Sequence, residues 1–178
     1  MNIRNTISSN FTIAKNYLRG HKKASLSLTV LLLTLGILAR FSLAGRGYNF
    51  DFESWLMIGD IVHKGQNVYV ETWRYPYGPV WSQMLGVLRG ISLQFSSPDI
   101  AFRYLVISVL TLVDVGVWAI LKKYYGHIVA FAYFLCPMSI IITGYHNQID
   151  TMAVLFALIG IITFSEVEMK ITRRKVVG

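Results

Sequence analysis

Charged side chains are scarce. They make up 15% of the 178 residues, where a soluble domain of this size carries about a quarter. Acids are scarcer still, nine against 17 lysines and arginines, for a formal net charge of +8. The single cysteine, Cys136, lies in an apolar run, which excludes an intramolecular disulfide and a cysteine metal site. The chain has no Walker loop, no Gly-x-Gly-x-x-Gly turn and no serine nucleophile elbow, so ATP or nucleotide-sugar use has no support. It shows no internal repeat. Extended disorder is excluded because aromatic and branched apolar residues are plentiful.

What fills the chain instead is apolar: 54% hydrophobic residues and a mean hydropathy of +0.49, in long runs rather than alternating patterns. Such runs predict an all-α, polytopic transmembrane helix bundle. About 20 helical residues cross a hydrocarbon core roughly 30 Å thick. Five segments are read as spans: 24–44, 79–95, 101–121, 128–143 and 151–164. Arg40, near the outer end of the first, is expected to snorkel. The basic residues cluster at the two ends: Arg4, Lys15, Arg19, Lys22 and Lys23, then Lys170, Arg173, Arg174 and Lys175. We read them as membrane anchors beside anionic lipid, not as a nucleic-acid surface. The whole reads as one transmembrane domain over 1–178, with a cytoplasmic basic lead at 1–23, an extracytoplasmic loop at 45–76 and a basic tail at 165–178. The polar lead is long, and the apolar run after it is too long for the h-region of a cleavable signal. The Asn10-Phe11-Thr12 acceptor lies on the cytoplasmic side and is read as unused.

Five full crossings leave the tail and Lys122-Lys123 outside, against the positive-inside rule. The fourth segment is short and broken at Cys136-Pro137. It is read as a re-entrant half-span whose polar loop lines a cavity, because irregular backbone is tolerated at membrane depth only there. Within the first loop, residues 52–64 place Phe52, Trp55, Leu56, Ile58, Ile61 and Val62 at helical spacing. They predict an amphipathic helix on the membrane surface, ended by Gly65. Ser96-Ser97-Pro98-Asp99 reads as a turn that caps the next helix. Gly86-x-x-x-Gly90 fits a close helix contact, a pattern also common by chance.

Three polar groups stand out against this background. Asp51 and Glu53 follow the first span; in an extended chain they share a face, and on a helix they lie about 200° apart. A carboxylate there can act as a general base or bind a divalent metal, or it can be one of two solvated acids on a loop. Tyr75-Pro76-Tyr77-Gly78-Pro79 is a stiff lead-in to the second span, because each proline fixes φ and biases the residue before it to extended geometry. Read by itself it is a helix start in an aromatic belt. His146-Asn147-Gln148-Ile149-Asp150 gathers hydrogen-bonding groups beside an apolar span; it lines either a cavity or the headgroup region, and one His with one Asp is a poor metal site. Asp114, within the third span, reads as one half of an interhelical pair, with Arg103 three turns away and out of reach.

Together these residues resemble the GT-C type of integral-membrane glycosyltransferase, in particular its mannosyltransferase-like branch. The resemblance rests on an acid soon after the first span (Asp51, with Glu53), on Gly65-Gln66-Asn67-Val68-Tyr69 followed by Tyr75-Pro76-Tyr77-Gly78-Pro79, and on Pro137, Gly144, Gln148 and Asp150. It covers about residues 49–164. It implies inverting transfer of a hexose from a polyprenyl-phosphate sugar donor to a glycan or lipid acceptor on the extracytoplasmic face. Asp51 would be the base, assisted by Glu53, with Arg74, Tyr75, His146, Gln148 and Asp150 around the substrate. Arg74, Lys64 and His146 are the candidates to meet the donor phosphate. No cofactor is implied, and a divalent metal is left open. Family members carry more spans than are read here, so the chain is expected to be an N-terminal portion with a complementary half as partner. The alternative is a non-catalytic polytopic subunit or transporter-like protein, with Asp114 and the His146 segment lining an interface or a path.

Overall fold

The computed structural model describes residues 25–47 and 49–177, with side chains through residue 165. The basic lead 1–23, the Asn10 acceptor and Tyr48 lie outside the described residues, as do the side chains of the basic tail. Among the described residues the secondary structure is helical, without strands. The helices are α1 (Ser25–Ser42), α2 (Phe50–His63), α3 (Val68–Glu71), α4 (Pro79–Ser92), α5 (Pro98–Tyr125), α6 (His127–Phe134), α7 (Pro137–Ile141) and α8 (Asp150–Val177), with a π-helical turn at Ile142–His146 between the last two.

Two of these, α1 and α5, are long and apolar enough to cross a membrane. The α6 and α7–π pair, bent by 46° at the Leu135–Pro137 break, makes a third when counted as one span. The outer surface of α1 exposes Leu26, Leu28, Val30, Leu31, Leu35 and Leu38, side chains suited to lipid rather than water. The five-span count does not carry over, because α4 has only 14 residues. At 1.5 Å per residue it is about 21 Å long, well short of the roughly 30 Å hydrocarbon core. It starts at Pro79, capped by Gly78, and packs on α2 and on the first half of α5.

The predicted surface helix exists as α2, but its apolar residues face protein. Phe52, Trp55 and Ile58 are buried with Leu85, Leu88, Phe102, Val106 and Leu110 in one core. Gly65, at φ +74°, closes α2 as expected. Its N–H donates to the Val62 carbonyl at 2.9 Å, and Gln66 N–H donates to that of Ile61 at 3.0 Å, a Schellman ending. The expected cap at 96–99 is not made by a side chain: Ser97 caps α5 with no side-chain hydrogen bond. Asp99 instead accepts from Arg89 Nη1 at 2.8 Å, while Arg89 Nε donates to Asp60 at 2.6 Å, so one arginine joins α2, α4 and α5.

The Gly86/Gly90 pair is a true close approach, since both glycines face α2. A Cβ on Gly86 would sit 2.5 Å from Val62 Cγ1 and 3.0 Å from its Cβ. Gly86→Ala is therefore expected to lower stability by about 1–3 kcal/mol, the usual cost of overpacking. Denaturant unfolding in detergent micelles checks this, and an unshifted midpoint would show that the two helices are free to part.

Contacts fix how the long helices run. Phe41 stacks on Tyr104 at 6.0 Å, and Leu33 and Ile37 pack against the Trp118 cluster, so α1 and α5 are antiparallel. The Trp118–Phe131 ring pair, 5.5 Å apart, and the Tyr133–Asp114 hydrogen bond together make α5 and α6 antiparallel too. Gly116 faces Leu155, and Ala119 and Lys123 share a cavity of about 360 Å³ with Ile159 and Ile162, so α8 runs parallel to α5. Lys122 and Lys123 therefore lie at the end where α1 begins and α8 finishes.

Arg40 does not snorkel. It is fully buried, and its Nε donates to Asp114 Oδ2 at 2.8 Å. Its Nη1 donates to the Gly36 and Phe134 carbonyls, both at 3.0 Å, and its Nη2 to Ser139 Oγ at 2.8 Å. Asp114 also accepts from Tyr133 and Thr143 hydroxyls, each at 2.7 Å. The intramembrane acid is thus an interhelical pair, as expected, with α1 as the partner helix. A buried ion pair persists only when its remaining donors and acceptors are matched in this way.

Candidate active site

The site forms where the start of α2 meets the π-helical turn. Asn49 begins it. Its Oδ1 accepts from Phe52 N–H at 3.0 Å, which caps α2 and sets the helix two residues earlier than the apolar spacing suggested. Asp51 and Glu53 then fall in the first turn, where unpaired N–H groups and the helix dipole favour acids. The helical geometry separates the two acids. Asp51 is half-buried and turned to the protein, whereas Glu53 is exposed.

Opposite Asp51 stands His146, 95 residues further along the chain. Its Nδ1 lies 3.3 Å from Asp51 Oδ2. The backbone carrying His146 is unusual: a π turn at Ile142–His146, ended by Asn147 in the left-handed region at φ +60°. Such turns are rare and recur at functional positions. Each part of it is held. Thr143 binds Asp114. Gly144 is pressed on the backbone of Arg40, where a Cβ would lie 2.5 Å from the carbonyl oxygen and 2.9 Å from Cα. The Tyr145 carbonyl accepts from Asn49 Nδ2 and from Arg103 Nη2. The Asn147 carbonyl accepts from Trp55 Nε1 at 2.9 Å, and Asn147 Nδ2 donates to the Thr143 carbonyl at 2.8 Å. Gly144→Ala is expected to cost about 1–3 kcal/mol, because the obstacle is main chain and cannot swing aside. The same unfolding measurement reads it, and a wild-type midpoint would refute the close approach.

Arg74 completes the group. Its Nη2 donates to the Phe50 carbonyl at 3.3 Å, and its guanidinium lies 3.8 Å from the centre of the Phe50 ring, beside Asp51. Its Nε is buried without a hydrogen-bond partner among the described residues. Of the residues singled out from sequence, Asp51 and His146 thus come together, while Arg74 packs on Phe50, the residue before Asp51. Lys64 caps the far end of α2, about 20 Å from Asp51 along a helix of that length. Tyr75 is buried at the α2–α4 core, and its hydroxyl donates to the Gly78 carbonyl at 2.7 Å. Burial pushes its phenol up from the ordinary value, so it remains a neutral donor that braces the proline-rich lead-in. Gln148 is half-buried, and its N–H donates to the Ile142 carbonyl at 3.2 Å. Asp150 opens α8 and lines a separate cavity of about 310 Å³ with Tyr133, Cys136 and Ser139.

Asn49, Trp55, Arg103 and Thr143, which build the site, were not named as site residues from sequence, and Asn147 was read only as part of the polar segment 146–150. Asn49 carried a readable signal, an asparagine with acids two and four residues on, the mark of a helix start. Arg103 lacks the reach to Asp114; it holds the Gly47 and Tyr145 carbonyls and covers the Phe52 ring at 5.0 Å. Among the described residues no three metal-ligating side chains converge, so Asp51 and His146 would offer an ion two donors.

Chemically, the arrangement presents a carboxylate with one oxygen engaged by an imidazole, an arginine alongside, and a rigid backbone beneath. It can take a proton from a bound hydroxyl. No family model matches the chain, and neither a curated protein nor a solved structure matches it.

Proposed function

We propose that the chain is a multi-pass membrane glycosyltransferase of GT-C type, moving a hexose from a polyprenyl-phosphate donor to a glycan or lipid acceptor on the extracytoplasmic face. The observation that carries this reading is the meeting of Asp51 and His146 at the start of α2, on a turn anchored from α1, α2 and α5. Asp51 is the base for the acceptor hydroxyl. Arg74, held on Phe50 and with a buried Nε that has no partner among the described residues, is the cation assigned to meet the departing phosphate.

The helix directions support a specific orientation. With α1, α5, the broken α6–α7 pair and α8 as the crossings and α4 outside, the basic lead, Lys122-Lys123 and the basic tail share the cytoplasmic side, as positive-inside requires. The site then faces out. In this arrangement the basic groups fall on one side with α4 outside; a re-entrant α6–α7 pair is the other reading of the same 46° bend. The alternative of a permeation path through Asp114 is weakened by its closure, since that carboxylate is fully buried and bonded to three neighbours.

The test is hexose transfer by membranes carrying the full chain, with Asp51→Asn beside wild type. Transfer that survives the substitution unchanged removes the proposed base.

A further inference from the structure

The resemblance placed His146 on the substrate; its surroundings point elsewhere. The imidazole is part-exposed, and its one polar side-chain contact is with Asp51; two further side chains tie the backbone next to His146 to that next to Asp51. Asn49 caps the helix that carries Asp51 through Oδ1, and through Nδ2 it holds the carbonyl of Tyr145, the residue before His146. Arg103 does the same a second time, lying over Phe52, the residue after Asp51, while donating to that same Tyr145 carbonyl. The Tyr145 ring meets the His146 ring edge to face, with centroids 5.3 Å apart, which limits rotation of the imidazole. The main chains on both sides of the 3.3 Å contact are thus fixed by two independent side chains.

We propose that His146 is the positioning residue for Asp51. Its Nδ1–H donates to Asp51 Oδ2, which fixes the carboxylate rotamer and leaves Oδ1 to accept the proton. This rests on the sugar-transfer reading above. In that reaction the acceptor O–H proton passes to Oδ1, the acceptor oxygen forms its bond to the anomeric carbon, and the bond from that carbon to the donor phosphate oxygen breaks, the electron pair leaving with the phosphate. The imidazole keeps its own proton throughout and orients the base. A neutral imidazole has one donor and one acceptor nitrogen, and the hydrogen bond at one nitrogen sets the tautomer of the ring. The contact with Asp51 therefore selects the Nδ1–H form. Misplacing a reacting group by about 1 Å can cost on the order of 100-fold in rate, so loss of the imidazole is expected to lower turnover about 10- to 100-fold.

The experiment has two arms. Histidine-15N-labelled full chain in nanodiscs carries four imidazoles, and the His146 signals are identified by their loss in His146→Gln. The expected result is an Nδ1–H ring in wild type that moves toward the Nε2–H form in Asp51→Ala. His146 signals that do not respond to Asp51→Ala overturn the proposal. In the transfer assay, His146→Ala is expected to lower kcat with little change in donor KM. His146→Asn is expected to restore part of it, because its amide N–H reaches the place of Nδ1. A raised donor KM with unchanged kcat overturns the positioning role and returns His146 to the phosphate. Wild-type protein that shows the tautomer response yet transfers no sugar supports the pairing and refutes the transferase reading, so the two failures are distinguishable.

Discussion

Asp114→Ala is expected to lower the stability of the fold by about 3–5 kcal/mol, the usual cost of breaking one side of a buried ion pair. The reason lies in Arg40, which keeps its charge and has no exposure to water. Without Asp114 its Nε is left with no acceptor, and the Tyr133 and Thr143 hydroxyls lose theirs as well. A buried donor stripped of its partner costs the full desolvation penalty of the group. The carbonyl and Ser139 contacts of Arg40 remain, but they carry no negative charge to oppose it. Replacing both members, Arg40→Met with Asp114→Leu, is expected to be much milder than either single change, because an apolar pair of similar volume removes the charge problem. Unfolding midpoints of the three variants in detergent micelles provide the measurement. Singles that unfold like wild type, or a double variant worse than both, would contradict the pair as drawn.

The second large effect concerns chemistry. Asp51→Asn should reduce hexose transfer by about 10²- to 10⁴-fold, the range that positioned acid–base groups contribute. The amide keeps the volume of the carboxylate, and its oxygen can still accept from His146, so the turn and the start of α2 are expected to stand. An unfolding midpoint equal to wild type, together with unchanged retention of the donor by the membrane-embedded protein, would assign the loss to the proton transfer. Wild-type turnover in this variant would dismiss Asp51 as the base. Glu53→Gln is the natural companion. Glu53 is exposed and lies about 200° from Asp51 around the helix, so its replacement is expected to change transfer less than twofold.

Much of the helix pattern could be read from the chain. Long apolar runs announce α1 and α5 because a stretch of about 20 residues with so few charges has few other uses. Gly65 and Pro137 punctuate the chain through their own backbone chemistry, and both act where expected. What failed was the assignment of surroundings. An apolar residue turned to lipid and one turned to protein look alike in sequence, so α4 passed for a span and α2 for a surface helix. Arg40 was misread for the same reason: its partner is 74 residues away, and nothing in its own neighbourhood distinguishes an arginine that reaches for water from one that reaches for a carboxylate.

The site divides along a similar line. Asp51, Arg74 and His146 were visible as polar islands beside apolar runs, where ionisable groups are expensive enough to need a reason. The side chains that hold them in place act mainly on carbonyl groups. Carbonyls belong to every residue, so a donor seeking one leaves no spacing rule behind. Trp55, Arg103 and Asn147 could be found only by folding the chain.

The separation of Arg40 from Asp114 also bears on how the protein is made. At translation rates of about 5–20 residues per second, the arginine emerges roughly 4–15 s before its counter-ion. An unneutralised arginine near the end of a nascent apolar segment resists transfer into hydrocarbon. The carboxylate that neutralises the first segment is therefore supplied only once α5 has been made.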